Sequence, residues 1–366
     1  MKRNYYVLSS GKLVRKNNTF YFEEIFEDQR PEFLDDREEE CLNQISELEI
    51  AEGAPEAMEP KKIPRKPIPV EDIEALFIFG ELTFNKRFLN YAATKGILIH
   101  FYNYYGFYTG SFIPRETNVS GKLTVRQAEH YGNLEKRRVL ASQFVLGAAK
   151  NILKNLAYYG SRGSDLTKEI ENINSLAESV PDITNIKELM GLEGNIRQIY
   201  YSCWEKILTK DFEFGKRSKR PPENPLNALI SFGNSLVYNT VLSELYKTQL
   251  NPLISFLHEP GTARYSLSLD LAEIFKPLLT DRIIFSTINK GMIKPGNFMK
   301  ELNFCYLKEA GRKVFIKEYD EKLKTTIKHR TLKRRVSFRQ LIRLEAYKII
   351  KHLLGDEEYK PFVIWW

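Results

Sequence analysis

The chain has 366 residues, of which 43% are hydrophobic and 13% aromatic, enough apolar material for two domains. Between positions 23 and 59 there are 15 acidic and 2 basic residues, whereas the remainder carries 53 basic and 32 acidic residues, a net charge of +21. So basic a remainder favours a polyanionic partner, with nucleic acid the first choice, and no apolar run reaches the roughly 18 residues of a membrane helix.

The three cysteines, Cys41, Cys203 and Cys305, are scattered along the chain. This spacing argues against a disulfide framework or a zinc ribbon and favours a reducing compartment. The N-terminus also lacks the apolar core of a secretory signal. We therefore expect a cytoplasmic protein with no membrane association.

The first part of the chain is predicted to be mainly β-structure. Short apolar runs alternate with turn residues, and they lie at 5–8, 12–15, 19–22, 70–80 and 96–102. The first runs, separated by Ser9-Ser-Gly11 and by Asn17-Asn18, predict β-hairpins with short strands. Helical spacing over 83–95, ended by Gly96, predicts one helix.

Residues 27–66 interrupt the β pattern. Glu, Asp, Pro and Ala dominate there, and 35–40 form a charge block, which is typical of a disordered segment or a solvated helix. We interpret the segment as an acidic insertion. It is either a tolerated surface loop or an arm that docks a basic partner or shields a DNA groove.

From about residue 116 the pattern becomes helical. The predicted helices cover 124–155, 164–180, 186–209, 224–250, a segment after Ser266, 281–291, 295–301 and 335–354. A small extended element is expected at 311–317. The sequence thus predicts an α+β fold, in which a mainly β domain (1–115) is joined by a short linker to a larger all-α catalytic domain (116–366).

The segment from Phe256 to Pro277 carries candidate metal ligands. His258 follows an apolar run, and Asp270 and Glu273 are three residues apart, so they share one face of a helix. A mixed nitrogen and oxygen donor set suits Mn²⁺, with Mg²⁺ tolerated and Zn²⁺ possible. The alternatives are a hydrogen-bonded histidine and a solvated acidic face.

Glu193 lies between Gly191 and Gly194 inside a helical pattern. Because a glycine costs about 1 kcal/mol relative to alanine within a helix, two beside an acid indicate close approach to the backbone. Arg197 lies one turn further along the same face. The alternative is a simple Glu–Arg pair at i,i+4.

Two basic clusters are candidate DNA contacts. The first, with Lys216, Arg217, Lys219 and Arg220, leads into a proline stop and then a helix that carries Asn234 and Tyr238. Gly233 in that helix indicates either a polar groove or close helix packing. The second cluster is 328–335, which ends in Arg334 and Arg335; its alternative is a solvated segment before the last helix.

Four motifs then occur in a specific order: Gly-Leu-Glu193-Gly; Arg-Pro-Pro-x-x-Pro-x-Asn-Ala-Leu-x-Ser-Phe-Gly-Asn-x-Leu-x-Tyr238; Phe-Leu-His258; and Ser-Leu-x-Leu-Asp270-Leu-x-Glu273-x-Phe-Lys-Pro. Together they resemble the CRISPR adaptation integrase, the metal-dependent core subunit of spacer acquisition. The resemblance extends over essentially the whole chain.

The resemblance implies that Glu193, His258 and Glu273 hold Mn²⁺ or Mg²⁺, with Asp270 as a supporting acid. Some family members have Asp where this chain has Glu273. The matching pocket positions are Arg197, Asn234, Tyr238, Arg264 and Lys276. The implied reaction is attack of a DNA 3′-OH on a phosphodiester at the edge of a repeat.

The resemblance also implies the partners: double-stranded DNA as spacer precursor and repeat array, a homodimer, and a small ferredoxin-like subunit that bridges two dimers. The acidic segment 27–59 departs from the usual compact β domain of the family. Two other functions stay open on the residues alone, a stand-alone structure-selective metal nuclease on branched DNA and a non-catalytic DNA-binding scaffold.

Overall fold

The computed structural model describes residues 2–24, 65–116, 118–219, 221–262, 264–300 and 304–365. The predicted acidic insertion at 27–66 lies almost wholly outside the described residues, as does Arg220. The chain divides into two compact units, Met1–Arg115 and Glu116–Trp366. In the described parts of both units, no helix is long and apolar enough to span a membrane.

The first unit contains eight strands among its described residues: β1 (Arg3–Val7), β2 (Gly11–Lys16), β3 (Thr19–Glu24), β4 (Arg65–Pro69), β5 (Ile73–Ile78), β6 (Leu82–Phe84), β7 (Leu98–Tyr102) and β8 (Tyr108–Phe112). They form two four-stranded sheets, ordered β1-β5-β7-β8 and β4-β3-β2-β6. β1, β5 and β7 are parallel, whereas β8 is antiparallel to β7.

One apolar core joins the two sheets and helix α1 (Lys86–Thr94). Phe20 of β3 contacts Phe88 of α1, with ring centroids 4.4 Å apart, and both side chains are fully buried. The predicted helix is confirmed, and Gly96 adopts φ +65° just after its end. A left-handed residue at that position is the usual way to stop a helix.

The second unit is built from nine α-helices among the described residues: α2 (Gly121–Gly132), α3 (Leu134–Gly160), α4 (Thr167–Ser179), α5 (Ile186–Ser202), α6 (Pro225–Leu245), α7 (Ser266–Phe275), α8 (Arg282–Asn289), α9 (Glu309–Lys324) and α10 (Phe338–Leu354). A π-helical turn, Pro277–Asp281, connects α7 to α8. With the strand-rich first unit, this confirms the predicted α+β class.

Helix α3 organises the second unit because residues on most of its length are buried. Leu140, Phe144, Ile152 and Leu156 are buried, and α3 packs against α2, α4, α5 and α7. Helix α6, which packs against α7, begins at a proline and is capped by the Asn224 side chain, which accepts from the Asn227 backbone N–H at 2.8 Å. Proline and asparagine at these positions are favoured helix starts.

Two local predictions in this unit are wrong. Residues 311–317 lie inside α9 rather than in an extended element, because Phe315 and Ile316 are buried on one helix face. The helix predicted at 295–301 is wrong over its described residues, 295–300: a short 3₁₀ turn, Pro295–Asn297, is followed by β9 (Phe298–Lys300), which pairs with β10 (Cys305–Leu307). A second strand pair, β11 (Thr326–Lys328) with β12 (Arg335–Ser337), precedes α10.

The apolar end of the chain packs on the second unit. The Asn151 side chain of α3 donates to the Phe362 carbonyl oxygen and accepts from the Ile364 backbone N–H, at 3.0 and 2.9 Å. Glu345 of α10 accepts from the backbone N–H of Phe362 at 2.9 Å. These contacts hold the tail against α3 and α10.

Candidate active site

The candidate site lies within the second unit, where helices α5 and α7 and the loop before α7 meet. Helix α5 supplies Glu193 and Arg197, α7 supplies Asp270 and Glu273, and Lys276 follows α7 directly. His258 comes from the loop between α6 and α7. The structure therefore brings together six residues that the sequence analysis selected from three separate segments.

Asp270 fixes the loop that carries His258. The fully buried carboxylate accepts from the backbone N–H groups of Phe256, Leu257 and His258 at 2.7, 3.0 and 2.9 Å. It also contacts His258 Nδ1 at 2.8 Å. Each oxygen thus takes part in two hydrogen bonds, so the acid sets both the loop backbone and the ring orientation.

Asp270 contacts the Nδ1 atom of the His258 ring and leaves the other ring nitrogen, Nε2, without a contact to Asp270. Burial works to lower the pKa of His258, but the hydrogen bond to Asp270 and the negative charges of Asp270 and Glu273 raise it overall. An imidazole whose Nδ1 is held by a carboxylate is the arrangement that metal-binding histidines commonly show.

Arg197 lies between the two glutamates. Its Nε donates to Glu193 Oε1 at 3.0 Å, and its Nη2 donates to Glu273 Oε2 at 2.5 Å. Lys276 donates to the other oxygen of Glu273, Oε1. Both carboxylates are therefore held by cations in this structure.

The two glutamates differ in their electrostatics. Burial and repulsion from Glu273 raise the pKa of Glu193. The pKa of Glu273 is lowered, because Lys276 and Arg197 outweigh the effect of its burial. Two carboxylates close enough to repel each other favour a bound cation, since a cation relieves that repulsion.

The donor chemistry of Glu193, His258 and Glu273 fits a hard divalent cation, with one imidazole and two carboxylates. In the present geometry, however, no group of three His, Cys, Asp or Glu side chains among the described residues is placed to hold a metal. Arg197 contacts Glu193 Oε1 and Glu273 Oε2, and Lys276 contacts the other oxygen of Glu273. Metal binding at Glu193 Oε1 and Glu273 Oε2 would require Arg197 to leave these two oxygens.

The sequence analysis missed Asp281 at the end of the π-helical turn. Its side chain is fully buried, and Arg197 Nη1 lies 3.9 Å from its Oδ2 atom. Burial raises the pKa of Asp281 to about 7, against the opposing effects of Arg197 and Tyr200. The available signal was an adjacent Asp281-Arg282 pair within the largely apolar segment 278–285, since acids in such segments are functional candidates when buried.

The first basic cluster extends from the candidate site, where Arg217 lies, to the protein surface. Arg217 is half-buried, and it donates to Asn227 Oδ1 at 2.8 Å and to Ser231 Oγ at 3.2 Å. Burial lowers its pKa, and its charge interacts with those of Arg197 and Asp281. Lys216 and Lys219 are exposed.

The remaining predicted pocket residues, Tyr238, Asn234 and Arg264, differ in burial and in hydrogen-bond partners. Tyr238 accepts from the Tyr265 backbone N–H at 2.8 Å, at the start of α7. The buried Asn234 Oδ1 atom has no hydrogen-bond partner among the described residues. Arg264 is exposed and donates to the Glu259 carbonyl oxygen.

The second basic cluster forms a hairpin loop between β11 and β12. Arg334 is exposed, and Arg335 donates through Nε to Thr326 Oγ1 at 2.9 Å. The cluster lies before the last helix and includes residues of a strand pair. Its contact with DNA stays a prediction.

Comparison with known proteins identifies the family. The sequence model of the family described as "CRISPR associated protein Cas1" matches residues 5–321. The chain belongs to the Cas1 family. The predicted resemblance to the CRISPR adaptation integrase is thereby confirmed.

Cas1 relatives match over the full length. "CRISPR-associated endonuclease Cas1 3" of Thermodesulfovibrio yellowstonii is 48% identical, and "CRISPR-associated endonuclease Cas1" of Clostridium perfringens is 49% identical; each alignment covers 100% of both chains. The solved Cas1 protein TM1797 from Thermotoga maritima is 36% identical, with a TM-score of 0.79 over 98% of this chain and 99% of that one.

A casposase bound to an integration product has the same fold. Its TM-score is 0.78, and the alignment covers 99% of this Cas1-family chain and 93% of the casposase. The sequence identity is 16%, so the similarity concerns the fold alone.

Proposed function

We propose that this protein is a metal-dependent DNA integrase that inserts short duplex DNA into a CRISPR repeat array. Membership in the Cas1 family supports the coarser statement, a CRISPR-associated DNA nuclease or integrase. The observation that carries the finer proposal is the cluster of Glu193, Glu273 and His258. Two mutually repelling glutamates and an imidazole oriented by Asp270 lie in one basic unit.

The reaction exchanges one phosphodiester for another. The 3′-OH of the incoming duplex gives up its proton to solvent as its oxygen bonds to phosphorus. The existing bond from phosphorus to a 3′-oxygen breaks, and the released 3′-oxygen takes up one proton, so protons balance. The number of phosphodiester bonds is conserved, so the reaction needs no external energy source. With water in place of the 3′-OH, the same displacement is hydrolytic nicking.

Glu193, His258 and Glu273 would hold Mn²⁺ or Mg²⁺, which when bound orients and polarises the scissile phosphate. Asp270 holds the His258 loop, so the imidazole is oriented before the metal arrives. Lys276 adjoins Glu273 and supplies positive charge for the negative charge that develops on the phosphoryl oxygens.

The basic clusters would hold the DNA backbone. Arg217 contacts only neutral acceptors in the bonds described above, so its charge is available to a phosphate. Lys216, Lys219, Arg264, Arg334 and Arg335 are exposed cations suited to further phosphate contacts. Arg220, Asn234 and Tyr238 belong to the same proposal through their family positions.

We also propose the family's assembly for this chain: a homodimer, with two dimers bridged by a small ferredoxin-like subunit, in the cytoplasm of a prokaryote. The solved proteins of the same fold include a Cas6-RT-Cas1–Cas2 complex, with a TM-score of 0.78 and 18% identity. That complex supports the presence of a second adaptation subunit.

A strand-transfer assay tests the proposed function. A short duplex with free 3′-OH ends is mixed with supercoiled plasmid carrying a repeat, in Mn²⁺, with and without the partner subunit. We expect covalent joining by the wild type and loss of joining in Glu193→Ala and His258→Ala. Glu188→Ala, an exposed acid on the same helix as Glu193, is the matched control and should still join DNA.

The other outcomes distinguish the alternatives. Nicking without joining, even with the partner subunit, would favour the stand-alone nuclease. Joining that survives both substitutions would place the active site elsewhere. If no variant, including the wild type, changes DNA covalently while all bind it, the non-catalytic scaffold is supported.

A further inference from the structure

Asp281 is a buried acid for which the proposed reaction has no role. Its side chain is 1% exposed, and neither carboxylate oxygen has a hydrogen-bond partner among the described residues. The Tyr200 hydroxyl lies close enough to Asp281 to oppose the rise in its pKa. A buried carboxylate without a donor is costly, so its retention calls for a partner in some state of the protein.

The π-helical turn fixes where this carboxylate points. The Asp281 backbone N–H donates to the Lys276 carbonyl oxygen at 3.1 Å, which closes the turn directly after the residue that holds Glu273. Single π-helical turns occur frequently at functional sites because they shift the following side chains relative to a regular helix. Here the turn places the Asp281 carboxylate close to the Arg197 guanidinium.

One guanidinium nitrogen of Arg197, Nη1, has no hydrogen-bond acceptor among the described residues and lies on the side of Asp281. Nε and Nη2 are bound to Glu193 and Glu273, whereas the buried Nη1 has no hydrogen-bond partner among the described residues. Nη1 lies 3.9 Å from Asp281 Oδ2. An unsatisfied donor and an unsatisfied acceptor therefore lie about 1 Å beyond the distance of a charge-assisted hydrogen bond.

We propose that Asp281 is a positioning residue that receives the Arg197 guanidinium when a divalent cation takes the carboxylates of Glu193 and Glu273. The inference rests on the metal site of the proposed function. In the metal-free protein, Arg197 neutralises the two glutamates. When a metal replaces it there, the buried guanidinium needs another acid, and Asp281 is the adjacent one.

The other cations of the site do not compete for this place. Arg217 also lies within electrostatic range of Asp281, but Asn227 and Ser231 hold its guanidinium. Lys276 also lies within electrostatic range of Asp281, but it is bound to Glu273 Oε1, the oxygen that Arg197 does not contact. Asp281 thus serves as the acceptor of a single arginine, which moves between two sets of partners as metal binds and leaves.

The first test measures the affinity of the full chain for Mn²⁺ in the absence of DNA. Electron paramagnetic resonance follows the free Mn²⁺. For Asp281→Asn we expect the Kd to rise about tenfold, within the range typical of coupled sites. Glu244→Gln removes another buried acid, one that pairs with Arg343 at 2.6 Å, and should leave the Kd unchanged. Far-UV circular dichroism verifies that each variant is folded.

A double-mutant cycle separates the proposed role from a general loss of negative charge. In an Arg197→Gln background, Asp281→Asn should change the Kd by less than about twofold, because the guanidinium that it would receive is gone. An undiminished loss of affinity in that background would show that Asp281 acts only as a distant charge and would overturn the proposal.

A crystal structure of the wild type with Mn²⁺ tests the inference without any Arg197 variant. We expect the distance between Arg197 Nη1 and Asp281 Oδ2 to shorten from 3.9 Å to hydrogen-bond length. If Mn²⁺ binds at the glutamates and Arg197 stays on Glu273, the inference fails while the metal site stands. If the wild type binds no Mn²⁺, the metal site and the inference both fail.

Discussion

At the scale of single residues, two buried acids in neighbouring helical segments have opposite surroundings. Asp270 accepts three backbone N–H groups and contacts the His258 ring, whereas Asp281 has no hydrogen-bond partner among the described residues. The first is therefore a fixed anchor of the His258 loop. In the proposal above, the second is an acid whose partner depends on whether Arg197 is bound to the two glutamates.

Lys322 of α9 is a residue whose burial is unfavourable at neutral pH. Burial and the nearby charge of Arg282 lower its pKa to about 8, and its Nζ lies 4.7 Å from the centre of the Phe338 ring. Because the folded pKa is below the unfolded value, the folded protein binds this proton less tightly. The contribution of Lys322 to stability therefore increases as pH rises from about 8 to 10.5.

We expect Lys322→Met to raise the free energy of unfolding at pH 7 by about 1–3 kcal/mol, the lower value if the contact with Phe338 offsets part of the cost. The variant should also flatten the pH dependence of stability between pH 8 and 10. Urea unfolding at several pH values measures both effects. Lys324→Met is the control: Lys324 pairs with Asp320 at 2.6 Å, so its removal should not stabilise the protein.

At the scale of elements, the packing of α6 against the π-helical turn decides the role of a glycine that the sequence left open. A Cβ atom on Gly233 would lie 2.5 Å from Thr280 Cγ2 and 2.9 Å from Phe315 Cζ. Gly233 therefore serves close packing rather than a polar groove. Gly191 and Gly194 differ, since a Cβ on either has nothing within 4 Å among the described atoms.

Gly233→Ala should destabilise the protein by about 1–3 kcal/mol, because Thr280 and the π-helical turn must move to accommodate the methyl group. Gly191→Ala should instead stabilise it by up to about 1 kcal/mol through helix propensity. Thermal unfolding of the two variants measures the difference. Equal shifts in the same direction would contradict the packing argument.

Strand pairing is the part of the element structure that local patterns could not predict. The turn at Asn17-Asn18 does join β2 and β3 as a hairpin, and Asn17 adopts φ +55°. The preceding strand β1 instead pairs in parallel with β5, far along the chain. Turn residues between β1 and β2 predict that the chain changes direction there, but they do not predict which strand pairs with β1.

At the scale of the whole molecule, charge determines how DNA binding depends on salt. Outside residues 23–59 the chain carries a net charge of +21, and exposed cations gather before α6 and in the β11–β12 hairpin. We expect the Kd for a short duplex to rise more than about tenfold between 50 and 200 mM salt, because binding releases counterions from the phosphates. Fluorescence anisotropy measures this dependence.

The double variant Arg334→Gln with Lys333→Gln should reduce the slope of log K against log salt by one to two units, roughly one for each lost phosphate contact. Lys313→Gln is the matched control, since this exposed lysine pairs with Glu309 at 2.6 Å within its own helix. A Kd that does not change with salt would exclude electrostatic DNA binding.

The α+β class, the family and the six residues of the candidate site could be predicted from the amino-acid sequence alone, because hydrophobic periodicity and ordered motifs are local properties of the chain. The tertiary structure was needed to show that Arg197 contacts both Glu193 and Glu273, that Asp270 orients His258, and that neither Asp281 oxygen has a hydrogen-bond partner among the described residues. These contacts link segments that are distant in the chain. Their formation depends on how α5, α7 and the π-helical turn pack, which no local pattern records.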